Sequence, residues 1–213
     1  MATLGSVSTQ TAPDGTRLRR DAADNQRRLL EAAVAEFNEQ GMDACVEQIA
    51  QRAGVGIGTF YRRFGTKDAL VDRLVDDLLT ELTGSAQRLI AAGEGDSLEL
   101  FLREVATALA HHRGILARLW CGHQEHSSRL RPLVAELLST AQRQGAIRTE
   151  VTGNDVSVLM WSLRGILELT DASALACQRH LDIALAGMRP GAEPLSHPAM
   201  SDRARLKAEQ RRR

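Results

Sequence analysis

From position 56 to position 67 the chain reads Gly-Ile-Gly-Thr-Phe-Tyr-Arg-Arg-Phe-Gly-Thr-Lys. Thr59 and Tyr61 offer hydroxyls, and Arg62, Arg63 and Lys67 offer cations, the groups that bind and neutralise phosphate oxygens. Arg52 adds a cation just upstream. Gly56 and Gly58 leave the backbone bare, so a nucleic-acid surface can approach closely. A helix built only for packing gains nothing from two glycines, which argues against a purely structural adaptor. Phe60 and Phe64 recur at i and i+4 and read as buried anchors. Ile57 either touches a thymine methyl or is a partly buried cap residue. Backbone N–H groups near Thr66, at the start of the next helix, offer a further phosphate contact.

Other reactive side chains form no comparable pattern. His111, His112, His123 and His126 lack the convergent spacing of a metal site, so no metal or other cofactor is expected. Cys45, Cys121 and Cys177 lie far apart without a CxxC pair or a secretory leader, the pattern of reduced thiols in a cytoplasmic protein. Cys121 beside Trp120 is either an oxidant sensor or an inert buried thiol. No nucleophile elbow, phosphate-cradling loop or HExxH occurs, so the sequence does not read as an enzyme. No apolar run approaches the roughly 20 residues that span a bilayer. Net charge is zero over 213 residues, so a nucleic-acid partner must be met by local rather than overall charge. Residues 17–70 carry nine basic and eight acidic side chains, residues 71–200 twelve and sixteen, and residues 201–213 six and two.

Helices must position these groups. Hydrophobic residues make up 43% of the chain but aromatics only 3%, a composition that favours helix over sheet. Residues 1–20 read as a disordered leader with a basic arm at Arg17, Arg19 and Arg20, which either enters a minor groove or stays solvated. Leu30, Val34 and Phe37 mark a first helix stopped by Gly41. Two short segments follow, Val46 to Ala53 and Ile57 to Phe64, joined at Gly54. Leu70, Leu74 and Leu78 open a long helix. Further stripes begin at Leu98, Ile115, Leu130, Asn154 and Ser173. The prediction is all-α with about nine helices, in four parts: the leader at 1–20, a helix-turn-helix domain over 21–66, a helical domain over 67–188 to which the family resemblance described next assigns ligand binding and dimerisation, and a Pro-containing basic tail over 189–213. Two short helices joined at a glycine form a unit whose second member fits the major groove.

The stretch Val46-Glu-Gln-Ile-Ala-Gln-Arg-Ala-Gly-Val-Gly-Ile-Gly-Thr-Phe-Tyr-Arg-Arg-Phe-Gly-Thr-Lys-Asp-Ala-Leu70, with Leu29 to Phe37 and Gly41 upstream, resembles the N-terminal domain of the tetracycline-repressor (TetR) family. The resemblance covers about a quarter of the chain; the remainder is similar only in architecture. It implies a homodimeric, Ω-shaped regulator on double-stranded DNA at a palindromic operator. It also implies repression relieved by a small-molecule effector, or alternatively activation or regulation without a ligand. Cys45 stands where the family commonly has Thr, so one phosphate contact is missing or is made by the N–H. The last two helices would form a four-helix bundle across the dimer axis through Leu159, Leu163, Ile166, Leu181 and Leu185. The pocket is expected among the middle helices, at Phe101, Val105, Leu116, Trp120, His123, Met160 and Arg164. Arg164 either binds an acidic ligand or pairs with Glu168 one turn on.

Overall fold

The computed structural model describes residues 14–121, 124–169, 174–191 and 193–210, with the side chains of 14–19, 120, 121, 124–128, 169 and 174 outside that description. Every regular element among these residues is helical: α1 (Asp14–Gln40), α2 (Val46–Arg52), α3 (Ile57–Phe64), α4 (Lys67–Ala92), α5 (Ser97–His111), α6 (Leu116–Cys121), α7 (Gln124–Arg143), α8 (Gly153–Leu169), α9 (Ala174–Met188) and α10 (Asp202–Gln210). Short 3-10 turns at Gly41–Asp43 and Arg113–Ile115 precede α2 and α6. No helix among the described residues is long and apolar enough to cross a membrane.

Local chemistry sets the boundaries. The turn between α2 and α3 needs a left-handed residue, and Gly54 supplies it at φ +66° without a Cβ penalty. Thr66 caps α4, its Oγ1 accepting the Ala69 N–H at 3.1 Å. The 26 residues of α4 extend about 39 Å at 1.5 Å per residue. That length carries the helix through two separate hydrophobic cores. Leu70, Val71, Leu74, Val75 and Leu79 pack with Leu29, Phe37, Ile49 and Phe60. Leu78, Leu82 and Ala86 pack instead with α5, α7, α8 and α9. The head's core therefore runs past residue 66 and includes Ile115 from the far side of the chain.

Three elements differ from the sequence reading. α1 begins at Asp14, inside the expected leader, and residues 1–13 lie outside the description. α7 starts at Gln124, ahead of the Leu130 stripe, and runs through Pro132. A tenth helix, α10, occupies the basic tail after its three prolines. It is held by long-range polar contacts that no local pattern announces.

At the α5–α6 junction His112 is mostly buried, its Nδ1 3.0 Å from the Ala108 carbonyl. Burial holds the imidazole below its ordinary pKa, with His111 adding to the effect and the Ala108 contact and Glu81 opposing it. As pH falls through the ordinary histidine range, near 6.5, the unfolded chain takes up a proton that the folded chain refuses. Stability is therefore lost on acidification. Circular-dichroism melts should show the midpoint falling from about pH 7 to pH 5, and His112→Gln should flatten that slope. An unchanged slope in the variant would assign the effect elsewhere.

Candidate nucleic-acid interface and buried cavity

α1, α2 and α3 converge on one core, and the reading surface is what α3 leaves outside it. Phe60 is fully buried and packs on Phe64, ring centroids 5.6 Å apart. That anchor turns the opposite side of α3 outward. Ile57 is 39% exposed and Tyr61 50%, unusual for large apolar and aromatic side chains on so short a helix. Arg62 and Arg63 are exposed, and among the described residues neither takes an ion-pair partner. A Cβ added at Gly56 or Gly58 would meet no atom within 4 Å. Neither glycine has a positive φ, so nothing inside the chain requires them. The outward face of α3 is thus a flat strip, bare at two positions, aromatic at one and cationic at two. Thr59 is half-buried and, with Arg62 and Arg63, lines a groove of about 290 Å³ against Asp21, Asn25 and Gln26 of α1.

Two of the predicted cations are engaged within the chain. Arg52 donates to Glu36 at 3.0 Å and to Glu39 at 2.7 Å, tying α2 to α1. The hydrogen bond to Glu39 and then that to Glu36 hold its guanidinium above the ordinary arginine pKa, and the Glu39 carboxyl is lowered in return. Lys67 donates its Nζ to the carbonyls of Met42 at 2.6 Å and Ala44 at 3.2 Å, pinning the turn before α2. Both residues therefore brace the head from within. Cys45 sits at the N-cap of α2, where Gln48 Oε1 accepts its N–H at 3.2 Å and its S–H at 3.0 Å.

The second feature is a cavity of about 590 Å³ among α4, α5, α7 and α8. Of the residues expected at a ligand site, Phe101, Val105 and Met160 line it. Leu116 is buried in the adjoining core without reaching it. Arg164 is not among the lining residues and its Nε donates to Glu168 at 2.7 Å. His123 and the side chain of Trp120 lie outside the described residues. Leu82, Leu109, Val134, Val156 and Trp161 also line the cavity; the first four lie on apolar helical stripes, whereas Trp161 lies off the stripe of α8.

Of the five residues expected at a dimer interface, Ile166 keeps part of its surface exposed and the four leucines do not. Leu163 and Leu181 are wholly buried within one chain, Leu185 and Leu159 nearly so, and Ile166 packs against the same core. A side chain without exposed area in one protomer offers a partner nothing. The large apolar side chains that α8 and α9 expose, among the described residues, are Val158, Leu175 and Ile183. Among the described residues no three His, Cys, Asp or Glu side chains gather as metal ligands would. His123 and the side chain of His126 are outside that set.

A helix-turn-helix head joined by one long helix to a hollow helical body is the architecture of a helix-turn-helix transcriptional regulator, and the comparisons agree. Residues 29–74 match the family model for bacterial regulatory proteins of the tetR family, and residues 93–190 match that for the C-terminal domain of SbtR-like transcriptional regulators. The chain is 33% identical over 139 residues to the HTH-type transcriptional repressor Rv3405c of Mycobacterium tuberculosis, covering 64% of this chain and 69% of that one. The match to the regulator YvdT of Bacillus subtilis is 28% identical and spans half of that protein. Among solved structures, a TetR regulator from Mycobacterium vanbaalenii superimposes with a TM-score of 0.60 at 31% identity, over 81% of this chain and 99% of that one. The regulator SCO0520 from Streptomyces coelicolor gives 0.59 at 29% identity, over 78% and 99%. The chain belongs to the TetR family of helix-turn-helix transcriptional regulators, and its relatives are regulators rather than enzymes.

Proposed function

We propose that the chain is a homodimeric repressor that holds a palindromic operator with α3 of each protomer and lets go when a small molecule fills the cavity. The observation that carries this reading is the outward strip of α3, bare at Gly56 and Gly58, with Arg62 and Arg63, unpaired among the described residues, beside an exposed Tyr61. Residues 21–66 supply the reading head, and 67–188 the effector and dimer functions, in the cytoplasm and without a cofactor. A second copy covers the face of α8 and α9 that carries Val158, Leu175 and Ile183. That pairing sets the two heads about one helical turn of DNA apart, roughly 34 Å. Repression is favoured by the similarity to Rv3405c, a transcriptional repressor.

Release follows from contacts shared by the cavity and both cores, made by Leu130 of α7 and Leu119 of α6. One residue earlier, Arg118 holds Asp72 of α4 at 2.9 Å. A ligand that displaces Leu119 acts on the head through α6 and α4, to the extent that it binds the released conformation better.

Fluorescence anisotropy on DNA flanking the chain's own coding region tests the reading. Arg62→Ala and Arg63→Ala should each weaken binding to all sequences alike and flatten the log–log salt slope by about 1.8, roughly 0.9 for each protomer's lost phosphate contact. Tyr61→Phe should weaken retention through loss of the hydroxyl. If all three bind as the parent does, the reading surface lies elsewhere.

A further inference from the structure

The cavity opens beneath α10, and this inference rests on the effector reading of that cavity. Arg131, Asn154, Asp202 and Glu209 line its mouth, and the same four residues hold α10 in place. Asn154 donates its Nδ2 to the Met200 carbonyl at 2.8 Å and to Asp202 at 3.1 Å. Glu209 accepts from Arg131 of α7 at 3.2 Å and from Arg205 at 2.7 Å. Asp202 and Glu209 are seven positions apart, so they share one face of α10. Upstream, Arg148 fixes the connecting strap, its N–H donating to the Met188 carbonyl at 3.0 Å and its Nη1 to the Glu193 carbonyl at 2.8 Å.

We infer that α10 is a lid over the effector site, lifted for entry and closed again over an uncharged, apolar ligand. The chemistry of the closed state favours a lid over a fixed wall. The helix reads Asp-Arg-Ala-Arg-Leu-Lys-Ala-Glu-Gln, and its one large apolar side chain, Leu206, is 46% exposed. Hydrophobic burial therefore contributes little to closure, and the polar contacts that remain are individually weak and screened by salt. Arg205 is 4% exposed and its Nε, 3.7 Å from Asp202 Oδ1, makes no hydrogen bond, so the closed lid keeps a buried donor short of a partner that opening returns to water. The anchored strap keeps the lifted helix close to its seat.

The ligand class follows from the lining. Leu82, Phe101, Val105, Leu109 and Met160 present hydrocarbon and a thioether. The polar groups nearby are already engaged: Thr152 Oγ1 with Asp155 at 2.8 Å, Ser157 Oγ with the Gly153 carbonyl at 2.9 Å, and Asn154 with the strap. Arg131, the cation on the lining, is already paired with Glu209, so a charged ligand would lose its water there without gaining a free counter-charge. An uncharged apolar one loses nothing.

Stopped-flow uptake of N-phenyl-1-naphthylamine, an uncharged fluorophore that brightens in apolar surroundings, tests this on the full chain. Compared are a chain ending at Pro198, the full-length variant Asn154→Ala, and Val105→Trp, which fills the cavity. Removing α10 should raise the association rate roughly tenfold, and Asn154→Ala should raise it several-fold. Added salt should speed entry into the full chain but not into the shortened one. Val105→Trp should abolish uptake. If the shortened chain folds poorly, Asn154→Ala and the salt dependence decide. Equal rates in all lid variants with Val105→Trp still blocking would overturn the lid and leave the effector cavity intact. Uptake that survives Val105→Trp, or no uptake by either the full or the shortened chain, would remove both.

Discussion

Gly58→Leu should leave the fold intact and nearly abolish operator binding. No atom lies within 4 Å of a Cβ at this position, and the backbone there is ordinary. Leucine has the better helix propensity by roughly 0.5–1 kcal/mol, so the melting temperature should hold or rise slightly. The same side chain projects beside exposed Ile57 and Tyr61, where the proposed groove wall must come closest. Losing the register of one base-edge contact costs about 2–3 kcal/mol, or roughly 30- to 150-fold in affinity. Thermal melts and anisotropy titrations on the same preparation separate the two effects. A variant that loses stability and affinity together would show that Gly58 serves the fold. One that keeps full affinity would move the DNA surface away from α3.

Where a reason lay within a few positions of a residue, the sequence disclosed it. The α2–α3 unit was readable because Gly54, Phe60 and Phe64 determine it locally, and α4 because Leu70, Leu74 and Leu78 repeat at helical spacing. Arg52 and Lys67 read as free cations because their partners lie from 13 to 25 positions away. The Leu159, Leu163, Leu181 and Leu185 stripe announced a buried face without saying which body buries it; it is the chain's own core rather than a partner. For α10 the difficulty was greater, since a segment without an apolar stripe is placed entirely by Asn154, Arg131 and the strap. The cavity residues fell between these cases. Phase marked the inward-facing side chains, but the sequence did not show which of them border a void.

Gly114 carries no local signal at all, and its substitution should have the largest effect on stability. The joint between head and body is made here, where the turn Arg113–Ile115 lies against the end of α1. A Cβ on Gly114 would sit 2.0 Å from the Phe37 carbonyl oxygen and 2.6 Å from the Asn38 nitrogen. Both are backbone atoms of a helix, so neither can swing aside as a side-chain tip would. Asn38 closes the same joint from above, donating Nδ2 to the His111 carbonyl at 2.7 Å and accepting the Gly114 N–H at 2.9 Å. Forcing a methyl group into this contact must part the turn from α1 and break those hydrogen bonds with it. Overpacking of this kind costs about 3 kcal/mol, roughly 6–12 °C in melting temperature for a chain of this size. Asn38→Ala should cost about 1–3 kcal/mol by leaving the Gly114 N–H and the His111 carbonyl unpaired. Because both changes open one contact, the double variant should be less destabilised than the sum of the two. Denaturant unfolding of the four proteins measures this cycle. Gly114→Ala within about 0.5 kcal/mol of the parent would mean the joint is looser than described, since contacts this close do not tolerate a Cβ.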